Sequence, residues 1–239
     1  MVALNMASVD GTTYTLDQVF PVTAQSSAST AMGTADQIQT WDQENQKYRY
    51  FFRWNKKVGA GKEKSGHWVE NVTIANDGAT EDYPLANVAL KAGDAVFYYP
   101  VANNQTLTIP GQVPAEAAGT LKKGFNMIGV GFPVQWNPND AGTAFWSDAK
   151  FAKSSAMGSA DQIQYWDEVN QKYRFFFLYS KKVGAGKEKS NMWVENVTVA
   201  NDGAAEDYPV LKEALNTGAG FFYYRLQDGE VEFKPGLSL

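Results

Sequence analysis

The chain has 239 residues, a net charge of −5, a sequence pI near 5.0, one histidine and no cysteine. This composition excludes disulfides, thiolate metal sites and cysteine nucleophiles, and it argues against nucleic acid as a partner, because phosphate contacts need a surplus of Lys and Arg. No apolar stretch approaches the roughly 20 residues of a membrane span, and the first residues lack the basic start and apolar core of a signal peptide.

The first half of the chain is repeated in the second half. Residues 35–84 and 160–209 align without a gap at an offset of 125, and 39 of the 50 aligned positions are identical. The sequence therefore predicts a tandem duplication with two domains, residues 1–117 and 118–239. Any function must either work twice or belong to a repeated building block.

Shorter matches extend the repeat beyond this passage. Leu4-Asn5-Met6 matches Phe125-Asn126-Met127 near the start of each unit, and Phe97-Tyr98-Tyr99 matches Phe222-Tyr223-Tyr224 near the end. We therefore expect each unit to open on an Asn-Met strand and to close after an aromatic strand.

In chain order, the best helix candidate, Thr15–Phe20, comes first. The segments that follow it alternate with period two, which predicts strands. The longest alternation places aromatic rings on one face of a strand and basic residues on the other, which predicts that the aromatic face is buried in the core. These rings are Tyr48, Tyr50, Phe52 and Trp54, with counterparts Tyr173, Phe175, Phe177 and Tyr179. The predicted elements of the first unit are the helix Thr15–Phe20 and the strands Gln37–Trp41, Tyr48–Trp54, Trp68–Ile74 and Ala95–Val101.

These patterns predict an all-β fold. We expect two similar, mostly antiparallel β-sandwich or barrel-like domains of about six or seven strands each.

The second unit opens with Gly124-Phe-Asn-Met-Ile-Gly129 and closes with Thr217-Gly-Ala-Gly-Phe-Phe-Tyr-Tyr224. This order resembles secreted bacterial tandem β-repeat modules, which open with a glycine-aromatic-Asn-hydrophobic strand and close with a glycine followed by aromatics. The first unit departs from the pattern, because Ala3 replaces the opening glycine. The resemblance implies an extracellular β-module and no particular activity.

No residue pattern indicates catalysis. The single histidine, His67, aligns with Met192, so a histidine mechanism could exist only once, and we expect a protein that is not an enzyme. The Gly-Ala-Gly-Lys of the loop Lys56–Ser65 lacks the spacing of a phosphate-binding loop. A solvated connection between strands explains this loop, and an acidic partner surface for its lysines is the alternative.

Two turns and several tryptophans are candidate ligand sites. The turns around Asp77 and Asp202 offer oxygen ligands for Ca²⁺, but Asn-Asp-Gly is also favoured for purely conformational reasons, so we expect no cofactor. A carbohydrate platform is the second candidate, in which rings stack on sugars and adjacent carboxylates bind hydroxyls, but the period-two placement of these rings favours a buried sheet face. The candidate rings are Trp41, Trp54, Trp68, Trp166 and Trp193.

The duplication itself favours a structural role at the cell surface or outside the cell. We expect a non-enzymatic subunit of a self-assembling fibre, layer or adhesin stalk, in which the C-terminal segment of one molecule adds to the N-terminal unit of the next. Packing of that segment on its own domain is the alternative, and a carbohydrate-binding module with one site per repeat is the rival function. An accessory domain of a longer enzyme is a third hypothesis. The self-assembly candidates are Leu4, Asn5, Met6, Val231, Phe233, Leu237 and Leu239.

Overall fold

A computed structural model describes residues 1–4, 6–8, 13–23, 25–72, 83–102, 107–109, 111–114, 119–141, 145–197 and 208–233. The part of the chain described is mostly β, as predicted, with three antiparallel sheets and no closed barrel. Its twelve strands are β1 Val2–Ala3, β2 Gln37–Asp42, β3 Lys47–Arg53, β4 Trp68–Glu70, β5 Ala95–Tyr99, β6 Gly119–Leu121, β7 Gly124–Ile128, β8 Gln162–Asp167, β9 Lys172–Tyr179, β10 Met192–Glu195, β11 Phe221–Arg225 and β12 Val231–Phe233.

Each repeat builds one five-stranded sheet with the same strand order. Repeat 1 has the order β1-β5-β2-β3-β4, and repeat 2 has the matching order β7-β11-β8-β9-β10. A third sheet pairs β6 with β12 and packs on repeat 2. Repeat 1 thus has five strands over the described residues and repeat 2 has seven, against the six or seven expected of each.

The predicted helix is confirmed as α1, Leu16–Val19, which lies in repeat 1. Thr15 caps it: the Gln18 N–H donates to Thr15 Oγ1 at 3.3 Å, and the Thr15 N–H donates to Gln18 Oε1 at 2.7 Å. This reciprocal capping box satisfies two donors of the first turn. Leu16 and Val19 then bury the inner face of the helix.

Both faces of β3 are buried in part. On the predicted aromatic face, Phe52 and Trp54 are buried and pack with Val69. Phe51, which interrupts the basic face, is fully buried with Ile38 and Trp68, while Tyr48 and Tyr50 are only half-buried on the outer face. The alternation correctly predicted a strand, and the predicted burial of its aromatic face is confirmed at Phe52 and Trp54 but not at Tyr48 and Tyr50.

The buried Asn126 explains the opening motif of repeat 2. Its Nδ2 donates to the carbonyl oxygens of Lys122 at 2.9 Å, Gly124 at 3.0 Å and Tyr223 at 3.1 Å. Its Oδ1 accepts the Lys122 N–H at 2.8 Å. The side chain therefore closes the turn between β6 and β7 and ties it to β11.

Strand register aligns the openings of the two repeats differently from the sequence match. Val2 pairs with Val96, whereas Ile128 pairs with Phe221. Because Val96 and Phe221 are equivalent at the offset of 125, Val2 corresponds to Ile128, one residue beyond that offset.

This register shows that the predicted match of Leu4-Asn5-Met6 with Phe125-Asn126-Met127 is wrong. Ala3 corresponds to Gly129, so Met127 of β7 is equivalent to Met1 and not to Met6. Two identical residues in a row are weaker evidence for aligning the repeats than the register of the hydrogen-bonded strands.

Candidate functional site

The outer faces of the two five-stranded sheets meet through aromatic rings. The Phe222 ring centroid lies 6.1 Å from Phe97, 6.0 Å from Trp41 and 6.4 Å from Tyr48. Trp41 also donates its indole N–H to the Phe125 carbonyl oxygen at 2.8 Å, and these two rings lie edge to face. We call these five rings the aromatic junction. Ring pairs in such geometries stabilise beyond the burial of their area.

Equivalent residues meet across the junction, so the contact between the repeats has approximate two-fold symmetry. The Ala3 N–H donates to the Gly218 carbonyl at 2.8 Å, and its counterpart, the Gly129 N–H, donates to the Gly93 carbonyl, also at 2.8 Å. A contact between like surfaces closes on itself and does not propagate. Head-to-tail assembly therefore needs a surface outside this junction, and it stays a prediction.

Further rings on the same outer faces remain open to solvent. Tyr99 is 45% exposed and Tyr173 is 38% exposed, with Tyr50 and Phe175 half-buried beside them. Burial raises the pKa of Tyr48 to about 12, and the neighbouring phenols act in the same direction. The Tyr48 hydroxyl is therefore protonated at neutral pH and keeps a proton to donate.

A cleft of about 380 Å³ opens at the rim of the junction, between the end of the β2–β3 hairpin and repeat 2. We call it cleft 1. Its lining includes Trp41, residues Gly119 and Thr120 of β6, and residues Met127 and Ile128 of β7. Its side-chain hydrogen-bonding groups include Thr40, Asp42, Gln43, Arg49, Lys91 and Asp94.

Two charged groups define the interior of cleft 1. Arg49 binds Glu70 with two hydrogen bonds, from Nε at 2.8 Å and from Nη2 at 2.7 Å, and this pairing raises the Arg49 pKa. Burial raises the pKa of Asp94, whose carboxylate accepts the Lys91 N–H at 2.9 Å.

The symmetry of the junction produces a counterpart on the other side, which we call cleft 2. It consists of two adjoining cavities of about 290 Å³ and 180 Å³, both bordered by Tyr165 and Asn216. Tyr165 stands where cleft 1 has Thr40, and Asn216 stands where cleft 1 has Lys91.

The arginine of cleft 2 carries an extra partner. Arg174 binds Glu195 through two bonds of 2.8 Å, as Arg49 binds Glu70, and its Nη1 also donates to Glu213 at 2.6 Å. Val88 occupies the Glu213 position in repeat 1, and Arg49 Nη1 has no acceptor in the part of the chain that the structure describes.

The structure does not bring Trp68 and Trp193 to a binding surface. They are 1% and 0% exposed, each in the core of its own repeat. The predicted platform therefore lacks an open ring face at either tryptophan. Their predicted neighbours Asp77 and Asp202, with the acidic turns considered for Ca²⁺, lie outside the described residues.

The self-assembly candidates that the structure describes lie on their own repeats. Val231 and Phe233 are buried in β12, which pairs with β6 of the same chain. Leu4 is 1% exposed in the core of repeat 1, and Met6 is half-buried. As far as Phe233, the C-terminal segment thus follows the alternative of packing on its own domain. Asn5, Leu237 and Leu239 lie outside the described residues.

The single histidine belongs to a charged cluster that occurs only in repeat 1. His67 Nδ1 lies 3.0 Å from Asp17 Oδ2, and Asp17 Oδ1 accepts bonds of 3.2 Å from both Arg53 and the Trp68 N–H. In repeat 2, Leu178 and Met192 replace Arg53 and His67. The cluster holds α1 against the β3–β4 edge.

The lysine-rich loop connects β3 to β4, as expected of a hairpin connection. Ser65 Oγ accepts the Lys56 N–H at 2.7 Å and donates to the Lys56 carbonyl at 2.8 Å, which closes the loop. Ser190 makes the same pair of bonds with Lys181 in repeat 2, at 2.9 Å and 2.8 Å. The two loops therefore have the same locked shape.

Sequence reasoning missed the clefts. Arg49 and Glu70 lie on neighbouring strands of one sheet face, and Arg174 and Glu195 repeat them at the same spacing. A charged pair retained in both copies was the available signal. The two clefts differ because repeat 1 has Val88 where repeat 2 has Glu213, which bonds the arginine. Alternation along a strand does not show which loop residue will contact that arginine.

The chain was compared with known protein families, with curated proteins and with solved structures, and it matches none of them. No helix among the described residues is long and apolar enough to cross a membrane. The described residues also contain no group of three or more His, Cys, Asp or Glu side chains arranged to hold a metal ion.

Proposed function

We propose that the protein is a non-catalytic carbohydrate-binding module that acts outside the cell or on its surface, and that glycans bind along the aromatic face where the two repeats meet. The observation that carries this proposal is the row of half-exposed rings beyond the junction. Tyr99 and Tyr173 are the most exposed of these rings. They come from different repeats, so a chain of sugars bound by both would cross the two-fold axis.

The chemistry of this face suits sugars. Flat rings stack on the apolar faces of pyranoses, and side-chain amides bond the hydroxyls at the ring edges. Gln39 pairs with Tyr50 and Phe97 across its strand neighbours, and Gln164 repeats this position in repeat 2 between Phe175 and Phe222. Amides and rings thus alternate on a surface without charged groups at these positions.

The test is calorimetric titration of the full chain with a panel of neutral and acidic polysaccharides. Tyr99→Ala and Tyr173→Ala should each weaken binding by about fivefold to tenfold, since a stacked ring contributes about 1 kcal/mol. Tyr99→Phe and Tyr173→Phe keep the rings and should retain most of the affinity. A flat titration across the panel, or alanine variants that bind like the wild type, would contradict the proposal.

A second candidate is the structural subunit of an extracellular assembly, and one observation favours it. Leu107 and Ile109 pack on the core of repeat 1, as Val231 and Phe233 pack on that of repeat 2. β12 pairs with β6, but no described strand pairs with 107–109. A strand of a neighbouring molecule would complete this sheet by β-augmentation.

This second candidate predicts oligomers that grow with concentration. Sedimentation velocity over a hundredfold concentration range should show a ladder of species for the wild type. Thr108→Pro, which removes a backbone donor from that segment, should shorten the ladder, and Thr108→Ser should leave it unchanged. A strict monomer at every concentration would count against assembly.

A further inference from the structure

We infer that cleft 1 binds one neutral sugar residue of the glycan, and that cleft 2 does not. The inference rests on the proposed function and deepens it, because it names the residues that bond the sugar hydroxyls and the kind of sugar they accept. It follows from a comparison of the two clefts. The duplication gave both clefts the same residues at equivalent positions, and later substitutions made them differ.

The first difference is the availability of the arginine. In cleft 2, both terminal nitrogens of Arg174 are engaged by carboxylates, Glu195 and Glu213. In cleft 1, Glu70 engages Nε and Nη2 of Arg49, which leaves Nη1 without an acceptor among the described residues. A guanidinium fixed by one carboxylate presents its remaining N–H groups in a set direction, so it can donate to a ligand oxygen without losing further side-chain freedom.

The second difference is the charge of the lining. Cleft 1 has two cationic side chains, Arg49 and Lys91, and two carboxylates, Asp42 and Asp94, so its lining charges balance. A balanced set of donors and acceptors matches the hydroxyls of a neutral sugar, each of which both donates and accepts. An acidic sugar would find no net attraction in this balanced lining to offset the desolvation of its carboxylate.

Cleft 2 has a different balance. Asp167 and Glu213 line one of its cavities and Glu168 lines the other, against two cations, Arg174 and the Met1 ammonium, so carboxylates outnumber cations by one. The polar groups of cleft 2 therefore either bond one another or carry unbalanced negative charge. Neither kind of group adds much binding free energy for a neutral sugar.

The third difference is size and shape. Cleft 1, at about 380 Å³, lies within the range of roughly 300–1,000 Å³ typical of small-ligand sites, whereas the cavities of cleft 2, at about 290 Å³ and 180 Å³, are each below it. The bulk of Tyr165 in place of Thr40 contributes to this difference. A tryptophan lines both clefts, Trp41 in cleft 1 and its counterpart Trp166 in the smaller cavity of cleft 2, so the difference lies in the single larger cavity and not in the ring.

The chain supplies its own variants for the test. Val88→Glu places in cleft 1 the carboxylate that engages the arginine in cleft 2, and Lys91→Asn copies the other rim substitution. Both residues occur at the equivalent positions of repeat 2, so both variants should fold. Glu213→Val makes the reverse exchange in cleft 2 and is the matched control.

The measurement is calorimetric titration of the full chain with neutral disaccharides of glucose, galactose, mannose and N-acetylglucosamine, and with the corresponding uronic acids. The wild type should bind a neutral disaccharide with a stoichiometry of one and bind the uronates at least tenfold more weakly. Val88→Glu should weaken neutral binding at least tenfold, and Lys91→Asn should weaken it severalfold. Glu213→Val should leave the affinity at cleft 1 unchanged.

The outcomes separate this inference from the proposed function. If Tyr99→Ala and Tyr173→Ala weaken glycan binding but Val88→Glu does not, the glycan binds on the aromatic face and the assignment of cleft 1 is overturned. If Glu213→Val weakens binding as much as Val88→Glu does, the effect is not specific to cleft 1, and the inference also fails. If the wild type binds no sugar, both the inference and the proposed function are overturned.

Discussion

Asp94 is a partly buried carboxyl group that repeat 2 lacks, because Ala219 takes its place. Burial raises the pKa of Asp94 above its usual 3.8, so the folded chain holds this proton more tightly than the unfolded chain does. The stabilisation that this group provides is therefore fully present below pH 3.8 and is lost as the pH rises through the folded-state pKa. At neutral pH this partly buried charge costs stability.

We therefore expect Asp94→Ala to stabilise the protein at pH 7 and to flatten the pH dependence of its unfolding. A gain of about 1 kcal/mol would raise the melting temperature by about 2–4 °C in a chain of this length. Thermal melts at pH 3.5 and pH 7 measure this, and the gain should shrink at the lower pH. If the melting temperature of Asp94→Ala at pH 7 is equal to or lower than that of the wild type, the charge of Asp94 does not destabilise the fold.

Asp42 provides a control of opposite sign. Its side-chain hydrogen bond with Asn45 is the main cause that lowers the Asp42 pKa. That stabilisation is present above pH 3.8 and is lost as the pH falls through the folded-state pKa. Asp42→Ala should therefore be less stable than the wild type at pH 7, and the two should converge in acid.

At the scale of single elements, α1 shows how one acidic side chain fixes a short helix to a sheet. Asp17 accepts the backbone N–H of Trp68 at 3.2 Å, and in repeat 2 the same task falls to Asn139, which accepts the Trp193 N–H at 2.7 Å. Asp17 also pairs with the buried Arg53. A four-residue helix cannot be stable by itself, so this attachment decides whether it forms.

Asp17→Ala should destabilise the chain by about 1–3 kcal/mol, because it leaves the Trp68 N–H and the Arg53 guanidinium without this acceptor. Asp17→Asn keeps the acceptor and should cost less. The double variant Asp17→Asn with Arg53→Leu reproduces the arrangement of repeat 2 and should recover most of the loss. Urea unfolding measures all three, and equal effects of the alanine and asparagine variants would contradict the proposed attachment.

The helix and the strands were the features of this fold that the sequence predicted best. Alternation located β2, β3 and β5, because that signal is local, and the predicted helix Thr15–Phe20 contains α1. The extent of burial along β3 was not predictable, since Tyr48 and Phe52 lie on the same face but only Phe52 is fully buried. Tyr48 is half-buried only because another repeat lies against it, and that depends on residues some 125 positions away.

At the scale of the whole molecule, the duplication was evident from the sequence but its geometry was not. Near-identical passages show that two similar sheets will form, and they do not show whether these sheets meet head to tail or face to face. The answer lies in the diverged segments, where Ala3 and Gly129 are equivalent at an offset of 126 and meet beside the two-fold axis. Cleft 1 and the aromatic junction exist only because of that contact.

The close approach at this axis depends on small residues. A Cβ atom on Gly220 would lie 2.7 Å from the Cβ of its counterpart Ala95, which is too close for two carbon atoms, and a Cβ on Gly129 would clash with Ala3. The backbones can therefore meet only where a side chain is absent. Gly158, by contrast, has no atom within 4 Å of a Cβ built on it.

We expect Gly220→Leu to separate the two repeats and to uncouple their unfolding. If the junction couples them, calorimetry of the wild type should show one transition that includes both repeats. Gly220→Leu should split it or lower the melting temperature by about 5 °C or more, because overpacking costs about 1–3 kcal/mol. Gly158→Ala should change neither. A wild-type profile retained by Gly220→Leu would show that the two sheets tolerate a wider junction, and the glycan surface that spans the two-fold axis would then have no fixed geometry.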